Sequence, residues 1–376
     1  MRRGVVALRH YPAAMSTFVL TRSAHPTPAD ERAAIVAKPV FGANFTDHMA
    51  LATWTTDEGW HDREIVARRA FELHPGAATF HYGQEIFEGL KAFRQPDGGV
   101  AIFRPDKNAA RFALSAGRLA MAPVDEADFV AAVSELVDLD RDWVPSPDGE
   151  QSLYIRPFEI ASETLIGVRA ANEYTFCVIA SPVGPYYPEP VTLWATPNFT
   201  RAATGGTGAA KCGGNYAASL LAAREAAEHG CQQVIWLDGA EHRWVEECGT
   251  MNILFVTAAG ELVTPELTGT ILDGVTRDSI LTLAPDHGLR PVQRRVAIDE
   301  VFDGVASGAI TEVFACGTAA VVTPVVGFAA PGVNGADRRL TVGDGTPGTI
   351  SQAIRAHLLD IQYGRVPDVH GWLHHV

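Results

Sequence analysis

A reactive amine, a carboxylate next to an apolar strand and the free N–H groups of a helix start are three chemistries this 376-residue chain can supply. Lysine is rare in it. Lys38, Lys91, Lys107 and Lys211 are the four lysines among 30 basic side chains, so a position that needs only positive charge is written Arg. Lys211 lies in Thr204-Gly-Gly-Thr-Gly-Ala-Ala-Lys-Cys-Gly-Gly-Asn-Tyr216, where small neighbours leave an amine short of competing bulk. An amine can be desolvated to a lower pKa and can form a Schiff base with an aldehyde, neither of which a guanidinium does at ordinary pH. From this segment alone, a surface lysine in a flexible glycine loop explains the pattern equally well. The stretch also invites a phosphate-loop reading but departs from G-x-x-x-x-G-K-[ST] twice, at Ala210 and Cys212, so a nucleoside-triphosphate site is not expected.

Two further segments bear on the amine. Glu246-Glu247 stands just before the apolar run Ile253–Val256. Adjacent acids at a strand end are usually a solvated edge, but an acid carried inward needs a cationic partner such as a protonated ring nitrogen. Gly274-Val-Thr-Arg-Asp-Ser-Ile-Leu-Thr-Leu is a glycine followed by an amphipathic helix. Such a start leaves backbone N–H groups that suit a phosphate monoester, although taken alone it is an ordinary helix cap. An amine for a Schiff base, an acid for a pyridinium and a helix-end phosphate site together describe pyridoxal phosphate.

The elements that must position these groups are partly legible. Apolar spacing at Ala109, Phe112, Ala113, Ala116, Leu119 and Ala120 predicts a helix over 106–121, ended by Pro123, and acidic residues open a second over 125–140. Strands are expected at 72–81, 100–103 and 152–160. Beyond Ser181-Pro-Val-Gly-Pro-Tyr-Tyr-Pro-Glu-Pro190, a turn-rich interruption, the pattern alternates. A helix is expected from about Asn215 to a stop at Gly230, with strands at 233–237 and 251–256. Helices then start near Val275 and Ile298, followed by a strand at 312–315 and a last helix at 348–361. This is an α+β architecture without the strict βαβαβ order of a Rossmann sheet. The expected division is an N-terminal extension, poorly ordered, over 1–30; a small domain over 31–182; a linker over 183–190; and a large domain with Lys211 over 191–376.

Composition narrows the classes. The net charge of −14 and the absence of a basic patch argue against nucleic acid and anionic lipid as partners. No apolar run approaches the length of a membrane span. Cys177, Cys212, Cys231, Cys248 and Cys316 form no C-x-x-C pair, the pattern of reduced cytoplasmic thiols. No metal-ligand spacing is present, and His370, His374 and His375 read as terminal packing. The arginine-bearing, acid-free start hints weakly at a transit peptide; Met15 as the working start, after a spurious or disordered 1–14, is the preferred expectation.

Longer motifs carry a resemblance. Glu247-Cys-Gly-Thr-Met-Asn252, Leu262-Val-Thr264 and Leu272-Asp-Gly-Val-Thr-Arg277 resemble the signature of class-IV pyridoxal-phosphate enzymes, with Leu254 where an aromatic residue is usual. His81-Tyr-Gly-Gln-Glu-Ile-Phe-Glu-Gly-Leu-Lys-Ala-Phe-Arg94, Leu153-Tyr-Ile-Arg-Pro157, Lys211-Cys-Gly-Gly-Asn-Tyr216 and Cys316-Gly-Thr-Ala319 resemble the branched-chain-amino-acid aminotransferases in particular. The likeness runs from about Val40 to the end.

The resemblance implies a two-domain fold type IV enzyme, similar to D-amino-acid aminotransferase, with a small N-terminal α/β domain and a larger domain holding a barrel-like sheet. It implies that Lys211 is the Schiff-base lysine and proton shuttle, that Glu247 pairs with the pyridine nitrogen, and that Tyr216 bonds the ring phenolate. Arg111, Val275, Thr276 and Thr318 would hold the phosphate. Thr250 and Ala319 would take the substrate carboxylate with Tyr154 and Arg156 in support, while Phe41, Tyr82 and Phe87 would line the side-chain pocket. Tyr82 would reach a neighbouring subunit, implying a homodimer. The implied reaction moves nitrogen between leucine, isoleucine or valine and 2-oxoglutarate by a ping-pong route. Other class-IV activities (D-amino-acid transamination, aminodeoxychorismate lysis) or a non-catalytic paralogue would share Lys211 and Glu247 and differ around Tyr82 and Tyr154–Arg156. Mammalian relatives carry a redox C-x-x-C where this chain reads Ala320-Val-Val-Thr323, so thiol regulation there is not expected.

Overall fold

The computed structural model describes residues 18–185, 189–332 and 335–376, and two nine-stranded sheets organise them. The first runs Val19–Leu20, Gly59–Ala67, His48–Thr55, Glu173–Val183, Ser152–Ala161, Leu90–Arg94, Val100–Phe103 and Leu373–His375, with Glu85–Phe87 added beside Ser152–Ala161. Its described pairings are antiparallel except that of Val19–Leu20 with Glu64–Ile65. The second runs Val245–Cys248, Gln233–Leu237, Val191–Ala195, Val321–Pro331, Ile310–Gly317, Asn252–Thr257, Glu261–Thr264 and Arg290–Gln293, and Asp337–Thr341 adds to Val321–Pro331. It mixes parallel and antiparallel pairs and curls as a half-barrel. The fold is α+β.

Side-chain alternation decides which face of each strand meets a helix. In Ser152–Ala161, Leu153, Ile155 and Ala161 enter the core, while Tyr154, Arg156 and Phe158 take the other face and are only partly covered. The core face packs on the helices Pro105–Arg118 and Glu126–Leu139 through Phe112, Phe129, Val133 and Leu136, all fully buried. Each such side chain contributes about 1.5–3 kcal/mol relative to leaving it in water. Pro105 at the first helical position and Asp106 in the first turn favour the start of the first helix. The central strands of the second sheet are buried on both faces. Ile253 and Phe255 pack toward the helix Ile298–Ser307 side, and Leu254 and Val256 toward Val275–Leu283 and Thr349–Gln362, which explains its unbroken apolar strands. Phe93 and Phe103 of the first sheet join that last cluster, so the sheets share a core.

Most expected helices and strands recur with shifted ends, and four expectations depart from the structure. Residues 72–81 do not form a strand: the Pro75-Gly76 turn is followed by a short helix, Ala78–Tyr82, ended by Gly83 at φ 59°. The helix expected from Asn215 is split into Gly213–Ala217 and Leu220–Glu228. The extension expected to be poorly ordered is structured from residue 18. Phe18 is buried, Val19–Leu20 is a strand, and Thr27 donates to Asp47 from its N–H at 2.9 Å and its hydroxyl at 2.6 Å. Residues 1–14 lie outside the described residues. The chain also returns to the first sheet at its end, since Leu373–His375 pairs with Ala101–Phe103, whereas the expected division kept 191–376 together. The change from first to second sheet falls between Val183 and Val191, and Tyr186–Pro188 of that segment lie outside the described residues.

Candidate active site

Between the two sheets lies a cavity of about 350 Å3, walled by both. Of the residues singled out from sequence, Phe41, Phe87, Arg111, Tyr154, Arg156, Lys211, Tyr216, Glu247, Thr250, Val275, Thr276, Thr318 and Ala319 all line it. Tyr82 does not. It ends its short helix 40% exposed, against the ring of His81.

Lys211 is carried by a loop tied at both backbone ends. Its N–H donates to Ser115 Oγ at 2.9 Å, and its carbonyl accepts from Phe87 N–H at 2.9 Å. Ser115 belongs to the helix Pro105–Arg118 and donates back to Arg111 O, so the lysine loop and the arginine helix are one rigid unit. The amine is half-buried, with Nζ 2.6 Å from Tyr216 Oη and 4.6 Å from the Phe87 ring centre. The phenol and the aromatic ring flank the amine where it enters the cavity, placing it where an aldehyde could be reached.

Opposite, Glu247 on Val245–Cys248 is 3% exposed. One oxygen accepts from Leu272 N–H at 2.7 Å, and the other is 3.1 Å from Arg201 Nε without hydrogen-bond alignment. Burial raises its pKa; the attraction of Arg201, the Leu272 N–H and the Lys211 charge oppose this without reversing it. Glu246 beside it is turned elsewhere, accepting from Thr270 Oγ1. The pair is therefore not a solvated edge, and Glu247 is a buried acid facing a cavity with room for a cation.

The third wall is an anion-binding one. Arg111 is buried and donates from Nε and Nη2 to the two oxygens of Glu88 at 2.7 and 2.8 Å, while Nη1 donates to Asp273 O. Glu88 has no exposed surface and also accepts from Asn108 Nδ2 and Gly89 N–H. Burial opposes its charge, but Arg111 and these donors hold its pKa below the usual carboxylate range. Next to Arg111 starts the helix Val275–Leu283, whose first ladder bond runs from Asp278 N–H to Gly274 O. The N–H groups of Val275, Thr276 and Arg277 precede that ladder. Gly274 permits this approach, because a Cβ there would collide with Asn252 Oδ1.

On the remaining side, Tyr154 and Arg156 project from alternate positions of one strand, with Arg156 Nη2 3.3 Å from Tyr154 Oη. The guanidinium lies 4.8 Å from the Phe87 ring centre, and its buried Nε has no hydrogen-bond partner among the described residues. Phe41 packs on Tyr154 at 5.1 Å between ring centres, and Phe87 on Tyr216 at 4.9 Å. Two residues of this site have no role in the sequence reading. Glu88 lies inside a quoted motif, but its partner is 23 positions away, and Arg201 precedes the glycine stretch without any local sign of what it meets. No helix among the described residues is long and apolar enough to cross a membrane.

The family model for amino-transferase class IV matches residues 85–328, and the chain belongs to that family. Within it, similar relatives include branched-chain-amino-acid aminotransferases. The chain is 52% identical over 361 residues to a "probable branched-chain-amino-acid aminotransferase" of Streptomyces coelicolor, covering 95% of this chain and 98% of that one. It is 50% identical to the branched-chain-amino-acid aminotransferase of Mycolicibacterium smegmatis, covering 94% and 97%. Among solved structures, the branched-chain amino acid aminotransferase from Escherichia coli superposes with a TM-score of 0.68 at 27% identity, covering 86% of this chain and 98% of that one.

Proposed function

We propose that this chain is a pyridoxal-phosphate-dependent branched-chain-amino-acid aminotransferase, moving the amino group of L-leucine, L-isoleucine or L-valine reversibly to 2-oxoglutarate by a ping-pong route. The observation that carries this is one cavity holding Lys211, Glu247 and the Arg111–Val275–Thr276 anion wall, with an apolar flank and Arg156 against the Phe87 ring.

The residues fit the cofactor on their chemistry. Glu247 is a buried acid whose nearest cation, Arg201, is poorly aligned, which suits a protonated ring nitrogen. Arg111 and the N–H groups at the helix start suit a phosphate monoester, with Thr276 and Thr318 adding hydroxyls. Bound there, pyridoxal phosphate supplies an aldehyde to take up the amino group and an electron-withdrawing ring to stabilise the substrate carbanion. Lys211 Nζ holds and moves the proton at the reacting carbon, and Tyr216 Oη, 2.6 Å away, keeps the amine oriented. Glu247 preserves positive charge on the ring side. Thr250 and Ala319 receive the substrate carboxylate, with Tyr154 and Arg156 beside them. Phe41 and Phe87 exclude water from an aliphatic side chain, and Arg156 gives the second carboxylate of glutamate a partner. A pocket of this kind separates Leu, Ile and Val by only about 1–3 kcal/mol, so all three are substrates.

Phe80 and Tyr82, both exposed and outside their own chain's cavity, support a homodimer in which Tyr82 completes the neighbour's pocket. The domain reading (a small domain over 31–182, a large one from 191) and a cytoplasmic location belong to the same proposal. The test is glutamate formation from L-leucine and 2-oxoglutarate by purified protein supplied with pyridoxal phosphate. Turnover of D-alanine or aminodeoxychorismate but not L-leucine overturns the substrate assignment, and a fully active monomer overturns the shared site.

A further inference from the structure

Lys91 is a second unusual lysine. It lies on Leu90–Arg94, where Leu90 and Ala92 enter the core of the first sheet and Lys91 and Phe93 face the second. It is 6% exposed, and its Nζ donates to Ala319 O at 3.0 Å. Glu150, the acid facing it, is held by both terminal nitrogens of Arg355. The same small recess is closed by Tyr363. Burial first, then repulsion from Arg355, lower the Lys91 pKa to about 8, and Glu150 only partly opposes this. The amine is thus held in an unfavourable place by one directed contact, to the turn between Ile310–Gly317 and Val321–Pro331.

That turn has its own peculiarity. Gly317 and Val321 pair directly, so Thr318, Ala319 and Ala320 form the loop, and all three line the main cavity. Val321 closes it at φ 60°, buried, a conformation that a β-branched residue adopts only when its surroundings impose it. Lys91 is not part of the cavity lining and approaches the turn from behind. A charged donor on the Ala319 carbonyl fixes the plane of the Ala319–Ala320 peptide, and with it how the turn presents these two cavity-lining residues.

We propose that Lys91 is a positioning residue for substrate, holding the Thr318–Ala320 turn through the Ala319 carbonyl in the form that receives the substrate carboxylate. This rests on the aminotransferase reading of the cavity. The probe is 4-methylpentanoate, the leucine skeleton without its amine, titrated calorimetrically into the cofactor-loaded protein. Lys91→Met binds it about tenfold more weakly at pH 7, about 1.4 kcal/mol, with cofactor absorbance unchanged. Lys91→Arg, which keeps a charged donor, loses less. KM for both substrates rises by a similar factor while kcat stays within about twofold. A neutral amine donates about half as strongly as an ammonium, so the gap between wild type and Lys91→Met narrows to about threefold by pH 9.

The proposal is overturned if Lys91→Met binds the probe as wild type does, if the gap is the same at pH 7 and pH 9, or if the variant loses cofactor absorbance and kcat in parallel. Failure of the underlying reading has a separate signature, a wild-type protein that does not transaminate L-leucine at all, and the proposal then falls with it.

Discussion

Glu159 offers a test of the fold that can be worked through quantitatively. It lies on the same strand as Tyr154 and Arg156 but on the opposite face, among Leu153, Ile155 and Ala161. It has no exposed surface, and neither carboxyl oxygen has a hydrogen-bond partner among the described residues. Burial without any compensating donor or cation pushes its pKa well above the ordinary glutamate value. Folding therefore favours the neutral form. The folded-state pKa exceeds the unfolded one, so the acid destabilises least below the unfolded pKa of about 4.3, and stability falls as pH rises from there toward the folded pKa. The slope is about 1.4 kcal/mol for each pH unit in that window.

Even the neutral acid leaves an O–H donor unpaired, at about 1–3 kcal/mol. Glu159→Met removes both costs in nearly the same volume. We expect the variant to be more stable than wild type already at pH 4.5, with the gap widening as pH rises. For a domain of this size, each kcal/mol moves Tm by about 2–4 °C. Paired thermal scans of wild type and variant at half-unit steps from pH 4.5 to 7.5 measure the gap, and changes at other titrating groups cancel in the difference. A gap that is constant over this range, or a variant less stable than wild type, refutes the reasoning by showing that Glu159 has found a partner or solvent.

Lys211→Ala should reduce glutamate formation by at least about 1,000-fold while the far-ultraviolet circular dichroism is unchanged, since none of the described residues lining the cavity supplies a second amine. Glu88→Gln leaves Arg111 buried without its countercharge; a loss of about 3–5 kcal/mol is expected, read as a fall in Tm that is smaller when inorganic phosphate is present to replace the charge. Gly89→Ala drives a Cβ into Tyr154 Oη, so Tyr154 must swing away; KM for L-leucine should rise about tenfold with little change in cofactor content, measured by absorbance and steady-state kinetics.

What the sequence displays and what it hides divide along a physical line. Helix starts at Pro105 and Gly274 and the strands at 100–103 and 233–237 rest on local rules, and the observed elements follow them closely. Of the residues given site roles, all but Tyr82 line one cavity, because the segments that carry them meet at the seam between the sheets. Pairings at long separation have no such signal. Glu88 with Arg111, Arg201 with Glu247 and Leu373–His375 with Ala101–Phe103 appear only when the chain is folded. A strand over 72–81 fails because Pro75-Gly76 is a stronger breaker than the apolar residues around it are strand formers.

Glu159 and Lys91 mark the intermediate case, where a signal exists and points nowhere until the faces are known. In Leu153, Ile155, Pro157, Glu159 and Ala161, an acid takes a core-facing turn of the alternation, and an anomaly of that kind can be read from the strand alone. Lys91 is one of only four lysines, standing between Leu90 and Ala92 in an apolar strand. The rarity that draws attention to Lys211 applies to it equally. An arginine at either place would carry the same charge, but its larger planar fork does not end in a single compact donor. Lys211 needs an amine for its chemistry, whereas Lys91 has a narrow recess and one carbonyl to reach. Both lysines address the same cavity, one from its floor and one through the turn that walls it, which is why substitution at Lys211 should appear in kcat and substitution at Lys91 in KM.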